Sequence, residues 1–334
     1  MARPRILSGM RPTGPLHLGN LMGALDNWVR LQDEYDCFFV IVDWHSLTTD
    51  YADPGGVRDN VAAVAADWLA AGLDPSRSTL LVQSLVPEHA ELHLLLSMIT
   101  PLSWLERVPT YKEQQQQLAD KDLGTYGFLG YPLLQTADIV IYKADAVPVG
   151  EDQAPHVELT REIVRRFNGL YGPVFPEPRT LLTQARRIPG TDGRKMSKSY
   201  DNAIFMQDPP EAVRDKLKPM VTDPARKRRT DPGDPDKCPV FDLHRAFSPE
   251  PAQAWAAAGC RSAGIGCLDC KGRLTEHVLE RLAVIHERRP GFASRPDATW
   301  DILAEGSRRA RDVARATMED VRSAMQIALP RPAR

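Results

Sequence analysis

Along the first 170 residues, short blocks of continuous apolar residues alternate with longer stretches of 3.6-residue periodicity. Arg5–Leu7 opens an apolar run that closes at Ser8-Gly9, and a loop punctuated by glycine and proline follows it. The pattern from Leu18 to Asp33 predicts a helix, whereas Cys37–Asp43, rich in Phe, Val and Ile, has the length of a buried strand. Val57–Ala71 is an alanine-rich helical pattern, and Thr79–Gln83 is a further strand. His89–Ile99 and His156–Phe167 read as helices, with Asp138–Tyr142 as another strand between them. Strands alternating with amphipathic helices predict an α/β fold, a Rossmann-type parallel sheet covered on both faces. Ligands of such sheets sit at the carboxyl ends of the strands, where the loop Gly9–Asn20 falls.

From about residue 203 the strand signal stops. Pro, Asp, Lys and Arg crowd the stretch Asp208–Pro239, after which Leu274–Glu287 and Ala304–Ile327 are helical. The pattern thus divides the chain into a catalytic α/β domain at 1–202, a mainly helical domain at 203–295, and a C-terminal helix within 296–334. Whether that last helix packs back on the first domain is left open.

Composition narrows the function classes. A chain of 334 residues, 43% hydrophobic and 26% charged, is long enough for two domains with real cores and is neither disordered nor collagen-like. Its apolar runs, such as Cys37–Val42, fall far short of the roughly 20 residues needed to span a bilayer. Met-Ala-Arg-Pro-Arg at the start lacks the apolar core of a secretion signal, so a cytoplasmic protein without a membrane partner is expected. The net charge of −2 weighs against a nucleic-acid partner, although a local basic patch such as Arg226–Arg229 matters more than the sum. Five cysteines, an odd count, disfavour a disulfide framework. Cys37 reads as a core residue, while Cys238, Cys260, Cys267 and Cys270 cluster and end in C-x-x-C. Four thiolates suit either a structural zinc ion or an iron–sulfur cluster.

Two motifs carry the chemistry. In Gly14-Pro15-Leu16-His17-Leu18-Gly19-Asn20, a strand-to-helix junction offers free backbone N–H groups and a positive helix end to a polyphosphate, with His17 and Asn20 as neutral donors. Gly19 leaves room for a nucleotide near the backbone. In Lys195-Met196-Ser197-Lys198-Ser199, two lysines among small hydroxyl residues suit a triphosphate whose charge redistributes during reaction. A plain turn and a solvated basic loop are the unremarkable alternatives for each motif alone. Both together, in this order, are far more specific.

His17-Leu18-Gly19-Asn20 and Lys195–Ser199 resemble the HIGH and KMSKS signatures of class I aminoacyl-tRNA synthetases, and the chain from about Ile6 onward is similar to bacterial tryptophanyl-tRNA synthetases. The resemblance implies an enzyme that joins L-tryptophan and ATP into an adenylate and then charges tRNA(Trp). It implies ATP contacts at Arg11, Pro12, Thr13, His17, Gly19, Asn20, Gly150, Glu151, Asp152, Ile188, Lys195, Met196, Ser197, Lys198 and Ser199. Lys112, Lys195 and Lys198, with Mg²⁺, would stabilise the transferring phosphate. Leu7, His45, Tyr131, Gln135, Asp138, Val147, Val149 and Gln153 would hold tryptophan. Asp138 takes the indole N–H, a lone donor that matches an acceptor-only carboxylate. Arg11 stands where many members carry Gln, and Asn20 departs from the literal HIGH form.

A subset of these enzymes holds a [4Fe–4S] cluster on four similarly spaced cysteines, usually with a first gap one residue longer. The resemblance therefore favours that cluster, with zinc second. It also implies a homodimer. The competing functions are a tyrosine–tRNA ligase and a catalytically silent, synthetase-like protein that binds RNA or senses redox state.

Overall fold

The computed structural model describes residues 3–117, 121–182 and 188–327. The first half of the chain runs β1 (Arg5–Met10), α1 (Leu18–Asn20), α2 (Asp26–Leu31), β2 (Asp36–Ile41), α3 (Asp43–Asp50), α4 (Val57–Ala71) and β3 (Ser78–Val82). It continues with α5 (Glu88–Ser97), α6 (Leu102–Glu106), α7 (Pro109–Gln117), α8 (Tyr126–Ile141), β4 (Ala146–Val149), α9 (Ala154–Tyr171) and β5 (Arg179–Leu182). Thereafter come only helices: α10 (Pro210–Leu217), α11 (Pro239–Phe247), α12 (Glu250–Arg261), α13 (Cys267–Ala293) and α14 (Pro296–Ala324). The expected Rossmann-type sheet with a mainly helical second region is what forms.

The five strands are parallel, in the order β3-β2-β1-β4-β5. Because strand side chains alternate, Ile6, Phe39 and Ile41 face one layer while Leu7, Phe38 and Val40 face the other. The first layer packs on α2 and α4 through Trp28 and Trp68, and its core runs on without a break to Val213, Leu274, Val278 and Ile285 of the helical region. The second is covered by α5, α8 and α9, and by Ala310, Ala314 and Met318 of α14. The C-terminal helix thus lies on the α/β part, up to Ile327; residues 328–334 are outside the described ones. On α14, Ser307 accepts a hydrogen bond from Val82 N at 3.1 Å, which caps the free edge of β3. A Cβ on Gly306 would come within 1.8 Å of the Leu80 carbonyl oxygen, so only glycine permits this contact.

One element departs from expectation. Asp138–Tyr142 is not a strand: residues 138–141 form the last turn of α8, with Tyr142 as its C-cap. Ala137, Asp138, Ile139, Val140 and Ile141 are all buried, and a helix buried on every side reads as a continuous apolar run, just as a central strand does.

Candidate active site

The strand order reverses between β1 and β4. The loops leaving their carboxyl ends, Arg11–His17 and Gly150–Gln153, therefore part around a crevice. Between α1 and α2 the chain makes a π-helical stretch, Leu21–Leu25, that brings Gly23 and Ala24 to the same crevice. Two cavities meet there, and Arg11 lines both.

The inner cavity, about 350 Å³, is bounded by Leu7, His45, Tyr131, Gln135, Asp138, Val147, Val149 and Gln153, all eight side chains expected around the amino acid. Its polar floor is Asp138, only 2% exposed. Oδ1 accepts from His89 Nδ1 at 2.6 Å and Gln83 Nε2 at 2.8 Å, and Oδ2 accepts from His45 Nε2 at 3.0 Å. Burial alone would raise the Asp138 pKa, but His89 and His45 outweigh it and hold the carboxyl well below the usual range. Tyr142 is the reverse case: burial, then Asp138, push its phenol up, so it stays protonated. Its hydroxyl lies 2.6 Å from His89 Nε2, so the two ring nitrogens of His89 bridge Tyr142 and Asp138. In a second chain, the Thr110 hydroxyl lies 2.9 Å from the Tyr131 hydroxyl and 3.1 Å from His156 Nε2. Burial and nearby His45 depress His156 to about 4, so it is neutral at pH 7.

The outer cavity is wider and polar. Pro12, Thr13, His17, Asn20, Ser197, Lys198 and Ser199 line it, with Ser46, Asp50, Asp53, Asn60 and Lys121 opposite. His17 caps α1: Nδ1 accepts from Asn20 N at 3.3 Å, while Asn20 Oδ1 accepts from His17 N at 3.0 Å. A ring that accepts at Nδ1 carries its proton on Nε2, as a donor. Burial, Lys198 and Lys195 lower the His17 pKa to about 4, so that donor is neutral. Gly19 is needed for a closer reason than ligand access, because a Cβ there would lie 2.9 Å from the His17 ring. Arg11 is held by the Ser46 carbonyl, Thr49 and Asp50 of α3.

Backbone pairing stitches the two signatures together. Leu18 N donates to Ile204 O at 2.9 Å, and Met206 N donates to Leu16 O at 2.8 Å. Lys198 Nζ reaches across to Thr13 Oγ1 at 3.3 Å. Asn202 shapes the lysine loop: it accepts from Ser197 N at 2.8 Å and donates to Asp192 at 2.7 Å and to the Lys195 carbonyl at 3.3 Å. Burial lowers Lys198 to about 8, with Asp67 opposing the shift.

Other expected nucleotide contacts lie outside the outer lining. Ile188 and Met196 are core residues, joined by Met196 N to Ile188 O at 3.0 Å, and so support the loop. Gly150 lines the inner cavity, and Glu151 and Asp152 are exposed just beyond it. Lys112 is exposed on α7, and Lys195 is exposed yet near enough to act on His17. Sequence reasoning missed Gln83, His89, Tyr142, Asn202 and Asp67. Gln83 follows β3 at its carboxyl end, a position that marks ligand-side residues in such sheets.

The four clustered cysteines come from three places: Cys238 caps α11, Cys260 ends α12, and Cys267 and Cys270 lie in the first turn of α13. Among the described residues, no group of three or more His, Cys, Asp or Glu side chains is placed to hold a metal ion. The thiols are nonetheless neighbours: burial first, then Cys238, Cys260 and Cys267, push Cys270 up to about 12. Arg226 is buried beside them, in contrast to exposed Lys227, Arg228 and Arg229. It donates to the carbonyls of Arg229 and Ile265 and to Cys260 Sγ at 3.8 Å, and its buried Nε has no partner among the described residues. No described helix is long and apolar enough to cross a membrane.

The sequence profile of the tRNA synthetases class I (W and Y) matches residues 1–283. A tryptophan–tRNA ligase from Thermotoga maritima is 53% identical over 97% of this chain and 99% of its own length. One from Ralstonia nicotianae is 48% identical over 96% of this chain and 98% of its own. A crystal structure of tryptophanyl-tRNA synthetase from Campylobacter jejuni, complexed with ADP and tryptophan, superposes with a TM-score of 0.86 at 31% identity, covering 97% of this chain and all of that one.

Proposed function

Since the chain belongs to the W and Y group of class I tRNA synthetases, we propose that it activates L-tryptophan with ATP and transfers the tryptophanyl group to tRNA(Trp). The observation that carries this reading is the ionised Asp138 at the base of an apolar cavity walled by Val147 and Val149. Indole presents one N–H and no acceptor, so an anchored carboxylate is its complement. A tyrosine phenol both donates and accepts, and the carboxylate gives nothing to its acceptor side. ATP–pyrophosphate exchange tests this directly: exchange is expected with tryptophan and not tyrosine, and equal exchange with tyrosine would overturn it.

In the reaction, the tryptophan carboxylate attacks the α-phosphorus of ATP, and pyrophosphate leaves. No protein nucleophile takes part. Catalysis comes from placement and from charge that meets the developing charge on the phosphates. His17 supplies a neutral Nε2–H, Lys198 and Lys195 supply ammonium groups, Lys112 on α7 is assigned to the phosphates from outside the cavity lining, and Arg11 spans the junction of the two cavities. Mg²⁺ enters with the nucleotide as its counter-ion. The 2′-hydroxyl of the terminal tRNA ribose then attacks the tryptophanyl carbonyl of the adenylate, forming the ester, and AMP leaves.

We divide the chain as 1–202 for catalysis, 203–295 for reading the anticodon, and 296–334 as a C-terminal region whose helix α14 (Pro296–Ala324) is laid back on the catalytic part. Exposed Lys227, Arg228 and Arg229 suit tRNA phosphates. Leu94, Met98 and Leu102, each more than half exposed on neighbouring helices, support a homodimer, which sedimentation would detect. We infer a cytoplasmic location from the tRNA-charging role.

Four soft thiols that influence one another beside a buried guanidinium are the donor chemistry that a [4Fe–4S] cluster on Cys238, Cys260, Cys267 and Cys270 would use, although they are not drawn together as a metal site in this arrangement. Such a group would cross-link three helix ends and carries a net negative charge that Arg226 offsets. Broad brown absorbance in anaerobically purified protein is expected, and a colourless, zinc-loaded preparation would refute it.

A further inference from the structure

We infer that the buried Asp67–Arg289 pair is a positioning device for the activation step, tying the end of α13 to the backbone just ahead of His17. Neither residue lines the two cavities, so neither is catalytic in its own right. Asp67 lies on α4 with no exposed surface. Its Oδ2 accepts from Leu16 N at 3.0 Å, and its Oδ1 accepts from Arg289 Nε at 2.6 Å. Three residues earlier on α13, His286 Nε2 donates to Met206 O at 2.9 Å. Leu16 and Met206 are themselves paired through Met206 N and Leu16 O at 2.8 Å. The last turns of α13 therefore hold both strands of the backbone ladder that carries the histidine signature on one side and leads out of the lysine signature on the other.

The chemistry explains why both members are charged. An isolated buried carboxylate would take up a proton and could then offer Leu16 N–H only a weaker acceptor. Burial pushes the Asp67 pKa up, and Arg289 is the largest of the influences that limit the rise without cancelling it. Arg289, at 2.6 Å, favours the ionised carboxylate, which holds Leu16 N at 3.0 Å and so sets His17, the next residue. The same anion faces Lys198 and favours its charged state. α13 begins at Cys267 and Cys270, so one helix of roughly 40 Å, at 1.5 Å per residue, joins the cysteine cluster to the nucleotide loop.

This inference rests on the activation reaction proposed above, and steady-state exchange on three variants tests it. Arg289→Met should lower kcat/KM for ATP by up to about 10²-fold, the scale of a small misplacement of reacting groups, while KM for tryptophan moves less than about twofold. Arg289→Lys, which keeps a charge for Asp67, should recover most of the loss. Asp67→Asn should match Arg289→Met, and the double variant should be no worse than either, since the two act as one unit. Equal changes in KM for ATP and tryptophan, or a lowered Tm with unchanged constants per folded molecule, would overturn the inference. Should Asp67→Asn fail to fold, the Met and Lys variants at the half-buried Arg289 still decide. Wild-type protein without tryptophan-dependent exchange would instead defeat the activity reading, and equilibrium ATP binding to the same variants would then test the pair alone.

Discussion

The two cavities that share Arg11 are built on opposite principles. In the inner one the functional side chains are locked by each other: Asp138 is held by His89, Gln83 and His45, and His89 in turn by Tyr142. In the outer one the backbone is fixed, through Leu16, Leu18, Ile204 and Met206, while the side chains that face the cavity keep reach and titratable charge. A recognition site benefits from groups that cannot rearrange, because a wrong ligand then leaves buried polar atoms unpaired. A site for phosphate transfer needs charge that follows a moving centre. The division of labour is therefore one of rigidity as well as of ligand.

Removing the lock should give the largest effect. Asp138→Asn leaves the shape but strips the charge that two histidines and Gln83 are arranged around, and breaking a buried ionic network costs about 3–5 kcal/mol. kcat/KM for tryptophan should fall by about 10³-fold, with KM for ATP nearly unchanged, as measured by pyrophosphate exchange at varied tryptophan. A matching rise in KM for ATP would mean that the two cavities are not independent.

Lys195→Ala probes the other side. Loss of one preorganised charge at a reacting phosphate typically costs about 10²–10³ in rate. Single-turnover adenylate formation should slow by that factor, and tryptophan affinity, read by equilibrium dialysis, should stay within about twofold. Equal, small effects on both would remove Lys195 from catalysis.

A gentler test uses the proton. Burial holds Lys198 down to about 8, so its ammonium is present below that pH and is lost above it. kcat/KM for ATP should therefore decline on the alkaline side with a midpoint near pH 8, approaching tenfold per pH unit. At saturating ATP the phosphates keep the proton on, so kcat should lack this limb. Lys198→Arg should abolish the limb, since a guanidinium does not titrate there. An unchanged limb in that variant would assign it elsewhere.

How far the sequence revealed this contrast follows from the kind of signal each part leaves. β1 and β2 are interior strands, and β3 is an edge strand covered by α14; all three are continuous apolar runs, and their positions were legible to within a few residues. β4 is equally central, yet it has four residues and contains Pro148, which argues against a strand when read locally. The outer cavity was legible in part because its loops carry short contiguous signatures. In the inner cavity, the eight lining residues came from family resemblance, and all line the cavity. The lock behind them did not emerge, because Gln83 and His89 lie 55 and 49 residues before Asp138 in sequence. Tyr142 lies four residues after Asp138, a relation that speaks only once the segment is known to be helical. Asp67 carries no local signature, since it acts on the backbone of a distant loop, and Asn202 carries none because its role depends on how the lysine loop just before it folds back.

The smallest predicted effect tests whether rigidity of the inner cavity depends on its scaffold. Gln83 directly follows β3, and β3 is pressed by α14 where Gly306 meets the Leu80 carbonyl. Gly306→Ala puts a methyl group into that contact, and overpacking of this sort typically costs about 1–3 kcal/mol. Tm should fall, and the displaced strand should shift Gln83 against Asp138. KM for tryptophan should then rise a few-fold while KM for ATP holds, because the outer cavity is anchored through α4 and α13 rather than through β3. A lowered Tm with both constants unchanged would show that the Asp138 lock holds itself together, through His89 and His45, without support from the strand edge.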